Sequence, residues 1–310
     1  MGVYRDIKLL PDFKNSVITI GTFDGVHLGH QKILHTVKEY AEKYKGESIV
    51  ITFDPHPREL LFPEKPLQTI TPLEKKINLI RSYGIDHVVV VPFTASFAAL
   101  SAVDYIRSFL VEKFHPKAIV IGYDHHFGQD REGNIQLLKK EQENHGYELV
   151  EISEQLVDES KVSSTQIRRA IQAGDMQACY AMTGRYYQLS GKVVEGKQLG
   201  RTIGFPTANI LPLYIRQLIP GTGVYAVKVL ISEKEYGGML SIGYNPTVTD
   251  DTSLKIEVHI FDFNEDIYSE IVEVVFIQKT REEEKFENIE LLQEQLKKDE
   301  IQIRAMLNQS

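Results

Sequence analysis

The sequence predicts an α/β domain followed by an all-β domain, and three observations carry that expectation. The first half alternates short β-branched runs with helical patterns. The second half joins strand-like runs through turns, with no helix between them. The change of rhythm falls near residue 185, after the helical stretch SSTQIRRAIQAGDMQACYAMTG (163–184), so the expected domains are 1–184 and 185–310.

In the first half the runs VITIG (17–21), SIVITF (48–53), HVVVVPF (87–93), KAIVIG (117–122) and YELVEI (147–152) are nearly continuous in apolar residues. Strands of that kind separated by helices indicate a parallel sheet covered on both faces. Ile33, Leu34, Val37 and Ala41 form one helical face, and Thr71-Pro72-Leu73-Glu74 has the form of a capping box with proline at the first helical position. From Tyr186 onward, YQLSGKVV, VYAVKVLI, YGGMLSIG, LKIEVHIF and EIVEVVFI are linked by Gly-, Pro- and Asp-containing turns, which indicates an antiparallel barrel or sandwich. A last helix carrying Phe286, Ile289, Leu292 and Leu296 would close one side of it.

Composition narrows the function classes. With 42% hydrophobic and 25% charged residues, the 310-residue chain has the balance of a globular protein large enough for two domains. A single cysteine, Cys179, excludes an internal disulfide and fits a reducing compartment. A formal net charge of -8 gives no electrostatic reason to expect nucleic acid or an anionic membrane as partner, which leaves small molecules as the expected substrates. The N-terminal residues lack the apolar core of a signal peptide, Asp6 stands where a myristoylation signal needs Ser or Thr, and no apolar run is long enough to span a bilayer. The expected location is the cytoplasm.

The stretch GTFDGVHLGH (21–30) joins the first strand to the first helix. It places His27 and His30 at a helix N-terminus, where unpaired N–H groups and the helix dipole favour an anion. Gly21, Gly25 and Gly29 would let phosphates approach the backbone. Three other readings stay open from these residues alone: a structural turn, a zinc site using His27, His30 and His56, and a dinucleotide loop. Structural zinc prefers thiolates and G-x-G-x-x-G is absent. Far downstream, SSTQIRR (163–169) combines three hydroxyls with arginines at a helix start, good ligands for a polyphosphate or simply a cap.

Together GTFDGVHLGH, FDPHP (53–57), GYDHHFG (122–128) and VSSTQIRR (162–169) resemble the FAD synthetase module of prokaryotic bifunctional riboflavin kinase/FMN adenylyltransferases. The resemblance implies a Rossmann-like nucleotidyltransferase domain that transfers AMP from ATP to FMN. It implies that His27 and His30 bind the ATP phosphates, with Ser163, Ser164, Thr165 and Arg168 on the β- and γ-phosphate side. Gly21, Phe23, Asp24, Gly25 and Gly29 would surround the nucleotide, while Asp54, His56 and Asp124 would shape the flavin site. His125 stands where phenylalanine is commoner in that family.

The second domain opens with GKVVEGKQLGRTIGFPTAN (191–209), a glycine-rich loop with Lys197 and Arg201 that is not a P-loop. PTAN offers Thr207 and Asn209, oxygen donors of the kind Mg²⁺ and phosphate accept, although for these residues alone a structural turn is the favoured reading. If LKIEVHIF alternates, Leu254, Ile256, Val258 and Ile260 share one face and Glu257 lies on the other with Lys255, His259 and Phe261. That outer position suits either a solvated carboxylate or a general base.

The strings GxxxGRTxGFPTAN, GVYA, IGxNPT and ExHIxDF closely resemble the riboflavin kinase domain, which implies a six-stranded antiparallel Greek-key barrel with a terminal helix. The resemblance further implies Thr207 and Asn209 as ligands of Mg²⁺ and ATP. Gly196, Gly200 and Arg201 would lie along the phosphates, with Glu257 as the base for the ribityl 5′-hydroxyl of riboflavin. The expected chain is thus a two-step enzyme making FMN and then FAD, with riboflavin, FMN and ATP as its small-molecule partners. A single-activity enzyme with one decayed site, or a flavin sensor, is the alternative.

Overall fold

The computed structural model describes residues 2–65, 67–123, 125–152, 162–196, 199–244 and 254–308. They form two compact units, residues 1–164 and 165–310. The packing division precedes the change of rhythm at residue 185 because the helix Met176–Thr183, with Met176, Cys179 and Thr183 buried, packs on strands of the second unit.

The first unit is a six-stranded sheet of β1 (Gly2–Tyr4), β2 (Val17–Ile20), β3 (Ser48–Asp54), β4 (His87–Pro92), β5 (Ala118–Gly122) and β6 (Glu148–Ile152). Its order is β1-β4-β3-β2-β5-β6, and every pair is parallel. Alternate residues of the central strands feed two cores. Ile18, Ile20, Ile49 and Ile51 enter one; Val17, Val50, Val88 and Val120 enter the other, against Ile33, Leu34, Val37 and Ala41 of the helix Leu28–Tyr44. The chain winds outward from β2 through β3 and β4, then crosses to β5 and β6, so the strand order reverses at β2. In open parallel sheets that reversal creates the ligand crevice beyond the strand C-termini. GTFDGVHLGH leaves β2 at that point.

Two local expectations are corrected here. The three-residue edge strand β1, pairing Val3 with Val88, is too short to show a period in the sequence. The helix expected to begin with a Thr71 capping box starts at Leu73 with Pro72 in the cap position, so no side chain caps it. Glu74 instead pairs with Arg5 at 2.8 Å.

The second unit is a closed antiparallel barrel in the order β10-β11-β8-β7-β12-β9. Its strands are β7 (Tyr187–Val194), β8 (Ala208–Pro212), β9 (Gly223–Ile231), β10 (Lys234–Tyr244), β11 (Leu254–Ile260) and β12 (Ile271–Arg281). β8 is the sixth strand, hidden in the sequence because it is short and begins inside PTAN. Closure removes the free edges that an open sheet would expose.

The terminal helix is Ile289–Leu307, capped by Asn288, whose side chain accepts the Leu291 N–H at 2.9 Å. Phe286 therefore lies before the helix, and Ile289 is exposed. The docked face sits further along, at Leu296, Ile303, Met306 and Leu307 against Met239 and Phe261. Asp299, 1% exposed, belongs to the same face and binds Arg281 through both carboxylate oxygens, with Nη2–Oδ2 at 2.7 Å.

Removing one partner of an enclosed ion pair strands the other charge, at a cost of about 3–5 kcal/mol. Asp299→Ala should accordingly lower the stability of the barrel by about that amount, read as a fall in its denaturant midpoint.

Candidate functional sites

The turn from β2 into the helix Leu28–Tyr44 is tightly wound. Phe23 (φ 49°), Gly25 (φ 84°) and Val26 (φ 36°) all have left-handed backbone. For a β-branched valine this is a strained geometry costing on the order of 1–3 kcal/mol, and it persists only where neighbours enforce it. Phe23 and Val26 are fully buried. A Cβ on Gly25 would meet Ile70 at 3.1 Å, so this glycine is required by backbone shape and internal packing.

The turn delivers His27 to the N-cap. Its Nδ1 accepts the His30 backbone N–H at 3.3 Å, which leaves the neutral ring with Nε2–H as its donor. The two imidazoles stack with centroids 3.6 Å apart, and His30 also packs 5.0 Å from Phe23. The first helical turn contains no acidic residue, so its N–H groups keep their positive potential. Among the described residues no group of three or more His, Cys, Asp or Glu is arranged to hold a metal.

Asp24 is 2% exposed, and its carboxylate accepts the N–H groups of Ile70 at 3.0 Å and Thr71 at 3.0 Å. The side chain expected beside the nucleotide thus ties the turn to the segment before the helix Leu73–Ser82. The Asp24 carbonyl accepts the Ser164 hydroxyl at 2.8 Å, which joins GTFDGVHLGH to SSTQIRR across 140 residues. Ser164 opens the helix Ser164–Ala173 that carries Thr165 and Arg168, and Ser163 immediately precedes it. Gly29 is buried in the first turn of its helix, and Gly21 packs against the Phe23 ring.

Asp54 ends β3, its peptide to Pro55 is cis, and His56 caps the short helix Pro57–Leu61 by accepting the Arg58 N–H at 3.2 Å. Asp124 lies outside the described residues, as do Lys197, Asn245, Pro246 and Thr247. His125 stacks on Phe127 with centroids 5.6 Å apart, and Phe127 stacks on Tyr105 at 4.8 Å, so the imidazole occupies an aromatic position. Burial pushes its pKa down to about 4, with His126 and Arg131 adding to the effect.

Lys76 was passed over in the sequence. Lys76 is 6% exposed, with its ammonium on the Thr22 carbonyl at 2.9 Å and the Thr52 hydroxyl at 3.0 Å. The signal was available: Leu73, Lys76, Ile77 and Ile80 fall on one helical face, so a lysine occupies a core position.

On the barrel, Glu257 sits opposite Ser241 on β10 and Asn209 on β8. Directly opposed residues point to the same face, so the three side chains form a row. The alternation expected of β11 holds, with Ile256, Val258 and Ile260 buried and Glu257 partly exposed on the other side. A Cβ on Gly196 would lie 2.0 Å from Asn209 Nδ2, and one on Gly200 would lie 2.1 Å from the Phe205 carbonyl and 3.4 Å from Thr207 Oγ1. The glycine loop is therefore moulded onto PTAN. His259 donates from Nδ1 to the Pro206 carbonyl at 2.8 Å and so holds the start of that segment. Arg201 is exposed on the short helix Leu199–Thr202. Glu283, also unremarked in the sequence, accepts the Ser241 hydroxyl at 3.3 Å and packs over Gly243.

A histidine-capped helix N-terminus at the switch point of a parallel sheet and glycines packed onto a barrel strand are features of proteins that handle phosphate groups. Comparison with known proteins specifies the family. The FAD synthetase family model matches residues 10–166 and the riboflavin kinase model matches residues 183–307. A bifunctional riboflavin kinase/FMN adenylyltransferase of Listeria monocytogenes is 41% identical over 94% of this chain and 92% of its own. That of Buchnera aphidicola from Acyrthosiphon pisum is 38% identical over 99% of both chains. A crystal structure titled as a macrolide-efflux protein from Streptococcus pneumoniae matches with a TM-score of 0.87 at 33% identity, covering 97% of this chain and 98% of that one. The chain belongs to the bifunctional riboflavin kinase/FMN adenylyltransferase family.

Two outcomes follow from these geometries. Gly196→Ala should displace the Asn209 amide and reduce phosphorylation of riboflavin at least tenfold without changing FAD formation from supplied FMN, measured by flavin chromatography. For His125 the folded pKa lies below the ordinary 6.5, so the unfolded chain binds the extra proton first and stability falls as pH drops from about 6.5 toward 4. His125→Phe should flatten that part of the stability–pH curve, checked by thermal unfolding at pH 7, 6, 5 and 4.

Proposed function

We propose that the two family activities divide between residues 1–184 and 185–310, with the barrel making FMN and the α/β domain adenylating it. The observation that carries this is the meeting of motifs distant in sequence: Ser164 on the Asp24 carbonyl in one half, and Glu257 in register with Asn209 in the other.

In the kinase reaction the ribityl 5′-oxygen of riboflavin attacks the γ-phosphorus of ATP, the bond to the β-phosphate oxygen breaks, and ADP leaves. A hydroxyl attacker must lose its proton, and Glu257 accepts it from a rigid strand position. Gly196, Gly200 and Arg201 lie along the phosphates. Thr207 and Asn209 supply hard oxygen donors that suit Mg²⁺ held jointly with substrate phosphates. When bound, that ion neutralises phosphate charge.

In the adenylyltransferase reaction a phosphate oxygen of FMN attacks the α-phosphorus of ATP and pyrophosphate leaves. The attacking oxygen is already ionised, so this site requires positioning and charge stabilisation and no strong base. His27 and His30 donate to the phosphates, and Gly21, Phe23, Gly25 and Gly29 surround the nucleotide, with the Gly21 N–H itself held by the Ile51 carbonyl at 3.0 Å. Ser163, Ser164, Thr165 and Arg168 hold the leaving side. Asp24 acts through the turn that it fixes, and Asp54, His56 and Asp124 border the flavin. Substrates of this kind and the reduced cysteine suit a cytoplasmic enzyme, and no helix among the described residues is long and apolar enough to cross a membrane.

Incubation with riboflavin and Mg-ATP, followed by chromatography of flavins, should show FMN and then FAD. His30→Ala should stop at FMN. Glu257→Gln should lower FMN formation by about 10²-fold or more while still converting supplied FMN to FAD. Loss of both activities in folded His30→Ala, or an undiminished kinase rate in Glu257→Gln, would contradict these assignments.

A further inference from the structure

Lys76 is an expensive residue for a scaffold. Burying an ammonium requires partners that replace water, and a methionine of similar length would fill the same core position without that penalty. The partners found here all belong to the margin of the adenylyltransferase cradle. Lys76 Nζ donates to the carbonyl of Thr22 at 2.9 Å and to Oγ1 of Thr52 at 3.0 Å, and Thr52 Oγ1 donates to the same Thr22 carbonyl at 3.1 Å. Thr22 is the second residue beyond β2, and Thr52 lies two residues before the end of β3. Asp24 and Asp54 are the negative charges that act on the ammonium and oppose the lowering of its pKa by burial.

These contacts form a clamp with two jaws. Lys76 holds the carbonyl entering the turn, and the Asp24 carboxylate holds the N–H groups of Ile70 and Thr71 just before the helix that carries Lys76. The anchored residues Thr22 and Asp24 bracket Phe23 and directly precede Gly25 and Val26, the three left-handed residues that deliver His27 to the helix cap. A strained turn of this kind relaxes when one anchor is lost.

We infer that Lys76 is a positioning residue for adenylyl transfer, holding the strand-to-helix turn in the shape that presents His27 and His30 to ATP. The inference rests on the adenylyltransferase reading above. Lys76 acts through Thr22 and the turn and touches no substrate.

Lys76→Met is the first test, with both reactions assayed on the same preparation. The KM for ATP in FAD formation should rise at least fivefold, with the KM for FMN and the riboflavin kinase rate changed less than twofold. A merely structural role would reduce the folded fraction, which lowers the apparent kcat and leaves the KM for ATP where it was. That result, or an unchanged KM and kcat, would overturn the inference. Should Lys76→Met lose kinase activity as well, Thr52→Val decides the matter, because it removes one partner and keeps both the shape and the charge. It should raise the KM for ATP about threefold in FAD formation alone, and no rise would overturn the inference. If the unmodified protein forms no FAD from FMN and Mg-ATP, the adenylyltransferase reading itself fails, an outcome distinct from the variants behaving like the parent.

Discussion

The turn between β2 and the helix Leu28–Tyr44 is the constraint on which the first unit depends. It must leave the central strand of a parallel sheet, reverse direction within seven residues, and begin a helix that His27 caps through its ring nitrogen. Left-handed backbone at Phe23, Gly25 and Val26 accomplishes the reversal, and this geometry would not survive in isolation. The Asp24 carboxylate and the Lys76 ammonium hold its two sides, so a buried charge of each sign stabilises the same short segment. Neither charge is a surplus in the core: each is matched by hydrogen bonds to backbone and by the other's field.

The barrel solves a related problem with different means. Its phosphate-binding candidates sit on a closed sheet with fixed register, so Glu257, Ser241 and Asn209 keep their spacing through strand pairing. The approach of the glycine loop is then set by what its residues lack, since Gly196 and Gly200 have no space for a Cβ. The terminal helix stiffens the same barrel from outside through Asp299 and Arg281. Rigid strands hold the proposed base, while the proposed phosphate donors of the first unit sit on a strained turn and helix end. That division matches the chemistry, because a base must meet one proton in one place and a phosphate cradle must envelop a charged chain.

His125 shows how a substitution within a motif is absorbed. A histidine at an aromatic position could have brought a charge into the loop after β5. The ring stacks on Phe127, and burial together with His126 and Arg131 holds its pKa down to about 4, so it packs as a neutral aromatic side chain.

Periodicity in the sequence was sufficient for five of the six strands in each unit, for the buried face of the first long helix and for the outward position of Glu257. In each case the burial of a residue repeats within its own segment, at a spacing of two or about 3.6. The motifs also named residues that meet in space, Asp24 with Ser164 and Glu257 with Asn209. What the tertiary structure alone decided was every choice of distant partner. It turned the Asp24 carboxylate toward Ile70 and Thr71, gave Lys76 the Thr22 carbonyl, explained Gly25 by Ile70, and made short strands of residues 2–4 and 208–212. It also extended the docking face of the last helix from Leu296 to Ile303 and Leu307, with Asp299 meeting Arg281 between them. Such features have no local signature, because a hydrogen bond or a missing Cβ takes its meaning from groups brought together only when the chain is folded.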